Sequence, residues 1–315
     1  MAEPQKALLF FNPKSGHSKE THHQELIENH FAKSQVSLET ILVPRKDSEL
    51  KTIVEQAISD GVNLFLVAGG DGTISMVGTH LIGKEIPLGI IPLGTGNFLA
   101  KALDIPQTIE QALDLITGND PVKVDIDTFK LDERFFLINV SVGVSPEVMQ
   151  VVDSDKKQQL GFFAYLISFI QQILGLKLHR IYLNCDHQKS SVLASEILIT
   201  NIGTAGVDPL IWSEDISLND GVMDLLIFRA ANIWDILGLV VSIFVKKGKH
   251  NPAIRFMKVR EYCRIETQTP MRTQADGDVI GKTPFEIKIF PRSLMIIAGK
   301  NHHANCKEGV QHENL

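Results

Sequence analysis

Three short apolar runs near the start of the chain each end in a glycine-bearing turn, and this pattern constrains the fold most. Leu8–Phe11 leads into Asn12-Pro13-Lys14-Ser15-Gly16, Leu64–Ala68 into Gly69-Gly70-Asp71-Gly72-Thr73, and Leu88–Ile91 into Pro92-Leu93-Gly94-Thr95-Gly96-Asn97. Short runs without polar alternation suit strands buried on both faces of a parallel sheet. Predicted strands are Ala7–Phe11, Val36–Val43, Asn63–Ala68 and Pro87–Ile91. Helix-like stretches at Lys19–Phe31, Asp47–Ser59 and Thr73–Leu81 separate them, with Asp47 as an N-cap and Gly61 as a stop. Residues 1–129 therefore read as an α/β domain, a Rossmann-like parallel sheet with helices on both faces.

In such a sheet all three turns would gather at the carboxyl edge, where ligands bind. Glycines there let the main chain approach a ligand and aim N–H groups at it, an arrangement that attracts phosphate. Lys14 would add a cation for those phosphates. Neither common nucleotide signature is present: there is no GxxxxGK[ST], and GxGxxG is missing from the first strand–helix turn. A dehydrogenase is disfavoured on that ground.

Beyond Lys130 strand-like runs dominate: Arg134–Val140, Arg180–Cys185, Ser195–Asn201, Val222–Phe228, Val259–Thr267 and Phe285–Phe290. Residues 130–290 read as a β-rich, sandwich-like second domain, with 291–300 expected to pack back on the first and 301–315 to form a disordered tail. Any strand edge left open in the second domain would offer a surface for a homodimer. With 44% apolar residues and 23 glycines in 315, the chain can build real cores. Its net charge of −6 argues against a nucleic-acid partner. The cysteines, Cys185, Cys263 and Cys306, are scattered without CxxC spacing. They suggest neither a disulfide framework nor a zinc site, and a reducing, cytoplasmic compartment fits them best. No signal peptide is evident at the N-terminus. Histidines show no metal-binding spacing, and His22-His23 reads as solvated surface.

Together the turns resemble a known family. NPKSG at 12–16, GGDGT at 69–73 and PLGTGN at 92–97 look like the diacylglycerol kinase catalytic-domain family of lipid kinases. Asn219-Asp220-Gly221 and Ala275-Asp276-Gly277-Asp278, followed by Gly281-Lys282-Thr283-Pro284, extend the likeness to about residues 6–298. GGDGT alone also occurs in NAD kinases; the ordered set is far more specific. The resemblance implies ATP and Mg2+ as cofactors. It implies nucleotide contacts from Asn12, Lys14, Gly69, Gly70, Asp71, Gly72, Thr73, Ser75, Gly94 and Thr95. Asp278 matches the late acid proposed as general base, although the family has Glu there. Asp220, with the carbonyls of Ser217 and Val222, matches a structural magnesium loop, and Asp125 a supporting acid. Asp71 and Asp278 would be the catalytic pair, placing metal and base across a cleft. Met76 replaces a common Glu, Phe98 a usual Asp, and the region of Pro44 lacks a frequent Thr. Taken alone, both the Asp276-Gly277 and the Asp220-Gly221 dipeptides are more often hairpin turns.

Mean hydropathy is +0.06, slightly apolar. Leu160–Leu176 is apolar but carries a small, polar face, and Ile233–Val245 is too short to span a bilayer. The second segment ends in Lys246-Lys247-Gly248-Lys249, a combination suited equally to a core helix with a charged end or to peripheral docking on an anionic membrane. The expected function is an ATP-dependent lipid kinase with a membrane-lipid substrate. An NAD kinase-like activity and a catalytically weak lipid-binding protein are the alternatives.

Overall fold

A computed structural model describes residues 5–15, 20–143, 177–203, 213, 215–231, 234–235, 238, 241–242 and 251–299. Gly16, the 160–176 segment, the 246–250 basic stretch, much of 233–245 and the 301–315 tail lie outside the described residues. The chain forms two compact units. The first takes the residues up to Ile126 and those from Arg292 onward, and the second runs from Asp127 to Pro291.

The first unit alternates strand and helix in the order β1 (Lys6–Phe11), α1 (Glu20–Phe31), β2 (Ser37–Leu42), α2 (Asp47–Ser59), β3 (Leu64–Gly69), α3 (Asp71–Gly78), β4 (Leu88–Pro92), α4 (Phe98–Ala102) and α5 (Ile109–Ile116). The strands pair in parallel in the order β2-β1-β3-β4. Every residue of β3 and β4 is buried, which is why their sequences carry no alternation. Along β1, Ala7, Leu9 and Phe11 pack with Ile27 and Phe31 of α1 and Leu113 and Ile116 of α5. Leu8 and Phe10 alternate to the other face, where Phe10 stacks on Phe65 at 6.3 Å. α2 begins at Asp47, but its N-cap is Lys46. The Asp47 carboxylate instead meets His80 Nε2 at 2.9 Å.

The second unit is a β-sandwich. It contains the second half of β5 (Val122–Leu131), then β6 (Arg134–Phe136), β7 (Asn139–Gly143), β8 (His179–Cys185), β9 (Gln188–Ala194), β10 (Glu196–Thr200), β11 (Met223–Phe228), β12 (Ile254–Val259), β13 (Tyr262–Thr267), β14 (Arg272–Ala275), β15 (Asp278–Lys282) and the first half of β16 (Phe285–Ala298). One layer has the order β12-β11-β10-β7-β14-β15, and in the other β13 lies between β16 and β8, with β9 outside. Phe129, Val140, Ile181, Leu183, Leu225, Ile265 and Ile287 are among the side chains that fill the core between them. β9 escapes a hydrophobicity reading because its sequence, QKSSVLA, is that of an exposed strand. β16 runs past Pro291, and its last part rejoins the first unit beside β4, pairing Ile296 with Leu88.

Two runs expected to be single strands are broken, for one shared reason. Asp186 and Asp276 each sit at positive φ (48° and 46°) in a hairpin, followed by His187 (66°) and Gly277 (96°). Such paired left-handed residues match the twist of the flanking strands. The Asp276 carboxylate accepts the N–H groups of Leu137, Ile138 and Asn139 at 2.8–3.0 Å, which interrupts Arg134–Val140. The Asp186 carboxylate accepts those of Arg260, Glu261 and Tyr262 at 2.8–3.2 Å, which interrupts Val259–Thr267. Burial pushes the Asp186 pKa up, but these three amides and His187 outweigh it and leave the pKa below the ordinary value.

The reading of the cysteines as unpaired is corrected. Cys185 and Cys263 stand opposite each other on antiparallel β8 and β13, and their sulfurs are bonded. Their separation of 78 residues gave no spacing signal, because strand register alone brings them together. They no longer argue for a reducing compartment.

Candidate active site

In the first unit the turns after β1, β3 and β4 converge, as the parallel order requires. Asn12 Nδ2 donates to Thr73 Oγ1 at 2.7 Å, and the Gly70 N–H donates to Ser15 Oγ at 3.3 Å. The second and third turns touch through their main chains. A Cβ on Gly94 would lie 2.6 Å from the Gly70 Cα, so only glycine fits. α3 starts at Asp71 with Gly70 at its N-cap and no side-chain cap, and the Thr73 and Ile74 N–H groups both turn back to the Gly70 carbonyl, at 2.9 and 3.0 Å.

Asp71 crosses to the third turn. Its Oδ1 accepts the Leu99 N–H at 3.4 Å, so it supplies the cap of α4 that the Asn97 side chain does not. Asn97 is in the left-handed conformation at φ 50°, and its Nδ2 donates to Gln107 Oε1 at 3.1 Å. Burial raises the Asp71 pKa above the ordinary carboxylate value, and the amides of Leu99, Phe98 and Asn97 pull it part of the way back. The contact from Phe98 is through its main chain, so Phe in place of Asp at 98 costs Asp71 no partner. Met76 is 38% exposed on α3.

Lys14, Gly72 and Thr95 are exposed on the three turns, whereas Ser75 is buried within α3. A cavity of about 410 Å³ opens beside the third turn, lined in part by His22, His23, Gly94, Asn97, Gln107 and Glu110. Its polar lining was not foreseen from the sequence, because α1, the segment before α5 and the first turn of α5 supply it from distant positions.

Asp278 and the Asn219–Gly221 loop lie in the second unit, and Asp125 lies in the first. Asp278 opens the exposed strand β15, directly after the hairpin that Asp276 ties to residues 137–139. Asp125 is exposed on β5, while Asp127, two residues further on, is 0% exposed. Sequence reasoning missed Asp127. Its Oδ2 accepts the Gly221 N–H at 2.7 Å, and its own N–H donates to the Leu218 carbonyl at 2.7 Å. The Asn219–Gly221 turn is thus no strand hairpin but a loop pinned by a buried carboxylate.

Asp220 Oδ1 accepts the Val222 N–H at 3.1 Å, and Oδ2 lies 3.5 Å from Lys258 Nζ. The same ammonium lies 3.5 Å from the Asp215 carbonyl oxygen. Oxygen donors suit Mg2+ in kind. Here, however, a cationic side chain already sits on the carboxylate, and the loop does not fit a divalent ion while Lys258 keeps that place. Among the described residues no group of three or more His, Cys, Asp or Glu side chains could hold a metal.

Comparison with known proteins agrees with this geometry. Residues 6–129 match the diacylglycerol kinase catalytic domain, and residues 138–298 match the YegS C-terminal NAD kinase beta sandwich-like domain. The chain belongs to the diacylglycerol kinase catalytic-domain family. The family's lipid kinases include a Staphylococcus aureus protein named diacylglycerol kinase, 28% identical over 93% of this chain and 92% of its own length. A Synechocystis protein, sll0036, of uncharacterized function is 29% identical over 92% of this chain and 69% of its own. The crystal structure of a Bacillus anthracis diacylglycerol kinase superposes with a TM-score of 0.78, covering 96% of this chain and 99% of that one at 23% identity. At that identity the last comparison speaks to the fold. The expected fold class, a parallel α/β domain with a β-sandwich domain, is that of the family.

Proposed function

We propose that the chain transfers the γ-phosphate of ATP to a hydroxyl of a membrane lipid, with diacylglycerol and sphingoid bases the leading acceptors. The observation that carries this reading is the contact of Gly70 with Gly94 beside the uncapped start of α3. Two glycine turns pressed together, without a Cβ between them, let the main chain come close to a polyphosphate. Lys14, Gly72 and Thr95 are exposed at the same edge and available to the nucleotide. Asp71 fixes the third turn against the second, so the cradle exists before ATP arrives. A magnesium ion accompanying the nucleotide would neutralise phosphate charge during transfer.

Asp278 is the proposed general base. It is exposed at the head of β15, free to approach an acceptor hydroxyl, and its hairpin is anchored by Asp276. Being one methylene shorter than Glu, it takes the proton through a water or by closer approach. The apolar side chains Trp234 and Val241 are 77% and 60% exposed, and they support peripheral contact with a bilayer. Among the described residues no helix is long and apolar enough to cross a membrane. The name carried by the S. aureus relative favours diacylglycerol among the acceptors.

Incubation with labelled ATP and vesicles containing diacylglycerol, sphingoid base, ceramide or phosphatidylglycerol, with soluble NAD in parallel, tests the reading. Label should enter the lipid extract. Label in NAD alone would sink the lipid-kinase reading. Lipid retention without ATP binding would identify a binding protein instead.

A further inference from the structure

We infer that Lys258 is the resident cation of the Asn219–Asp220–Gly221 loop, which keeps its shape without a divalent ion. The inference concerns how the loop is held and stands whether or not the chain phosphorylates a lipid.

Strand register puts Lys258 where it is. β12 pairs antiparallel with β11, so that Lys258 stands opposite Asp224, and β11 begins two residues after Gly221. From there the side chain reaches two oxygens of the loop region, Asp220 Oδ2 and the Asp215 carbonyl, each at 3.5 Å. A carboxylate and a main-chain carbonyl converging on one point is the donor set that gathers a hard cation. An ammonium is a compact point charge with three donors and can meet both.

The rest of the loop is closed by its own groups. Asp220 Oδ1 takes the Val222 N–H, Asp127 Oδ2 takes the Gly221 N–H, the Leu218 carbonyl takes the Asp127 N–H, and Ser217 Oγ donates to Asn219 Oδ1. The charge of the Asp220 carboxylate is met by Lys258, which supplies a positive charge covalently, at an effective concentration no dissolved ion matches. A divalent ion on the same oxygens would have to displace the ammonium or sit beside it against like-charge repulsion.

The test uses the nucleotide-free full chain, so that ATP-bound magnesium plays no part. Thermal unfolding is followed in EDTA and in millimolar magnesium, with equilibrium dialysis for bound ion. The native protein should unfold at the same temperature in both and retain no magnesium. Lys258→Met should unfold several degrees lower in EDTA and recover in magnesium, while Lys258→Arg should behave as native. Addition of Asp220→Asn to Lys258→Met should remove the recovery. The inference is overturned if the native protein gains several degrees from magnesium and Asp220→Asn abolishes that gain. It is equally overturned if Lys258→Met matches the native protein in EDTA. Dialysis of the native chain decides the matter even if the methionine variant does not fold.

Discussion

The main chains of Gly70 and Gly94 approach so closely that a Cβ on Gly94 would lie 2.6 Å from the Gly70 Cα. Both partners are main chain, so relief requires one turn to move. Gly94→Ala is expected to cost about 1–3 kcal/mol of stability, as forced overpacking does. It should weaken ATP-analogue binding at least as much as it weakens the fold, which titration of the folded variant with a fluorescent nucleotide would show. Unchanged affinity would mean that these turns do not form the phosphate cradle.

Asp71 and Asp186 should respond to pH in opposite directions. Burial raises the Asp71 pKa in the folded state, so the folded protein holds that proton more tightly. Its contribution is greatest below the unfolded carboxylate pKa of about 4 and falls as pH rises through the folded value. Asp71→Asn should therefore be as stable as the native protein at low pH and no less stable at neutral pH, while losing activity. Asp186 has a lowered folded pKa, so its contribution is present above the unfolded value and is lost as pH falls through the folded one. Asp186→Asn should lose stability at neutral pH and converge with the native protein in acid. Melting temperatures across pH compare the two variants directly.

Asp276 and Asp278 share a hairpin but should separate cleanly. Asp276 holds three main-chain N–H groups, and Asp276→Ala leaves them without that acceptor. A loss of about 2–4 kcal/mol is expected, since a hydrogen bond to a charged group contributes about 1.5–3 and some amides will find water. Asp278→Asn should leave urea unfolding unchanged and abolish phosphoryl transfer. Full activity in that variant would place the base elsewhere.

Asp127 lies wholly inside the second unit, and its carboxylate accepts the Gly221 N–H. Asp127→Ala removes that acceptor and opens a small void, with an expected cost of about 1–3 kcal/mol. Amide exchange at Gly221 should accelerate more than exchange in β11. Equal acceleration throughout the sheet would show that Asp127 supports the core rather than the loop.

The amino-acid sequence alone determined the parallel half of the molecule. Apolar runs, glycine turns and intervening amphipathic stretches are local signals, and they led to β1–β4, to the end of α2 just before Gly61 and to the meeting of the three turns. The Asp276–Asp278 turn was legible for the same reason. The broken strands at 137–138 and 260–261 were not, because their amides are taken by aspartates more than seventy residues away in the chain. β9 was missed because exposed strands carry no apolar pattern. The pairing of Cys185 with Cys263, the burial of Asp127 and the placing of Lys258 over Asp220 follow from strand register and long-range packing. No spacing along the chain encodes them, since each depends on which residues the sheets set side by side. Tertiary structure therefore decided how the candidate loops are held, while the sequence decided which loops carry the glycines and aspartates.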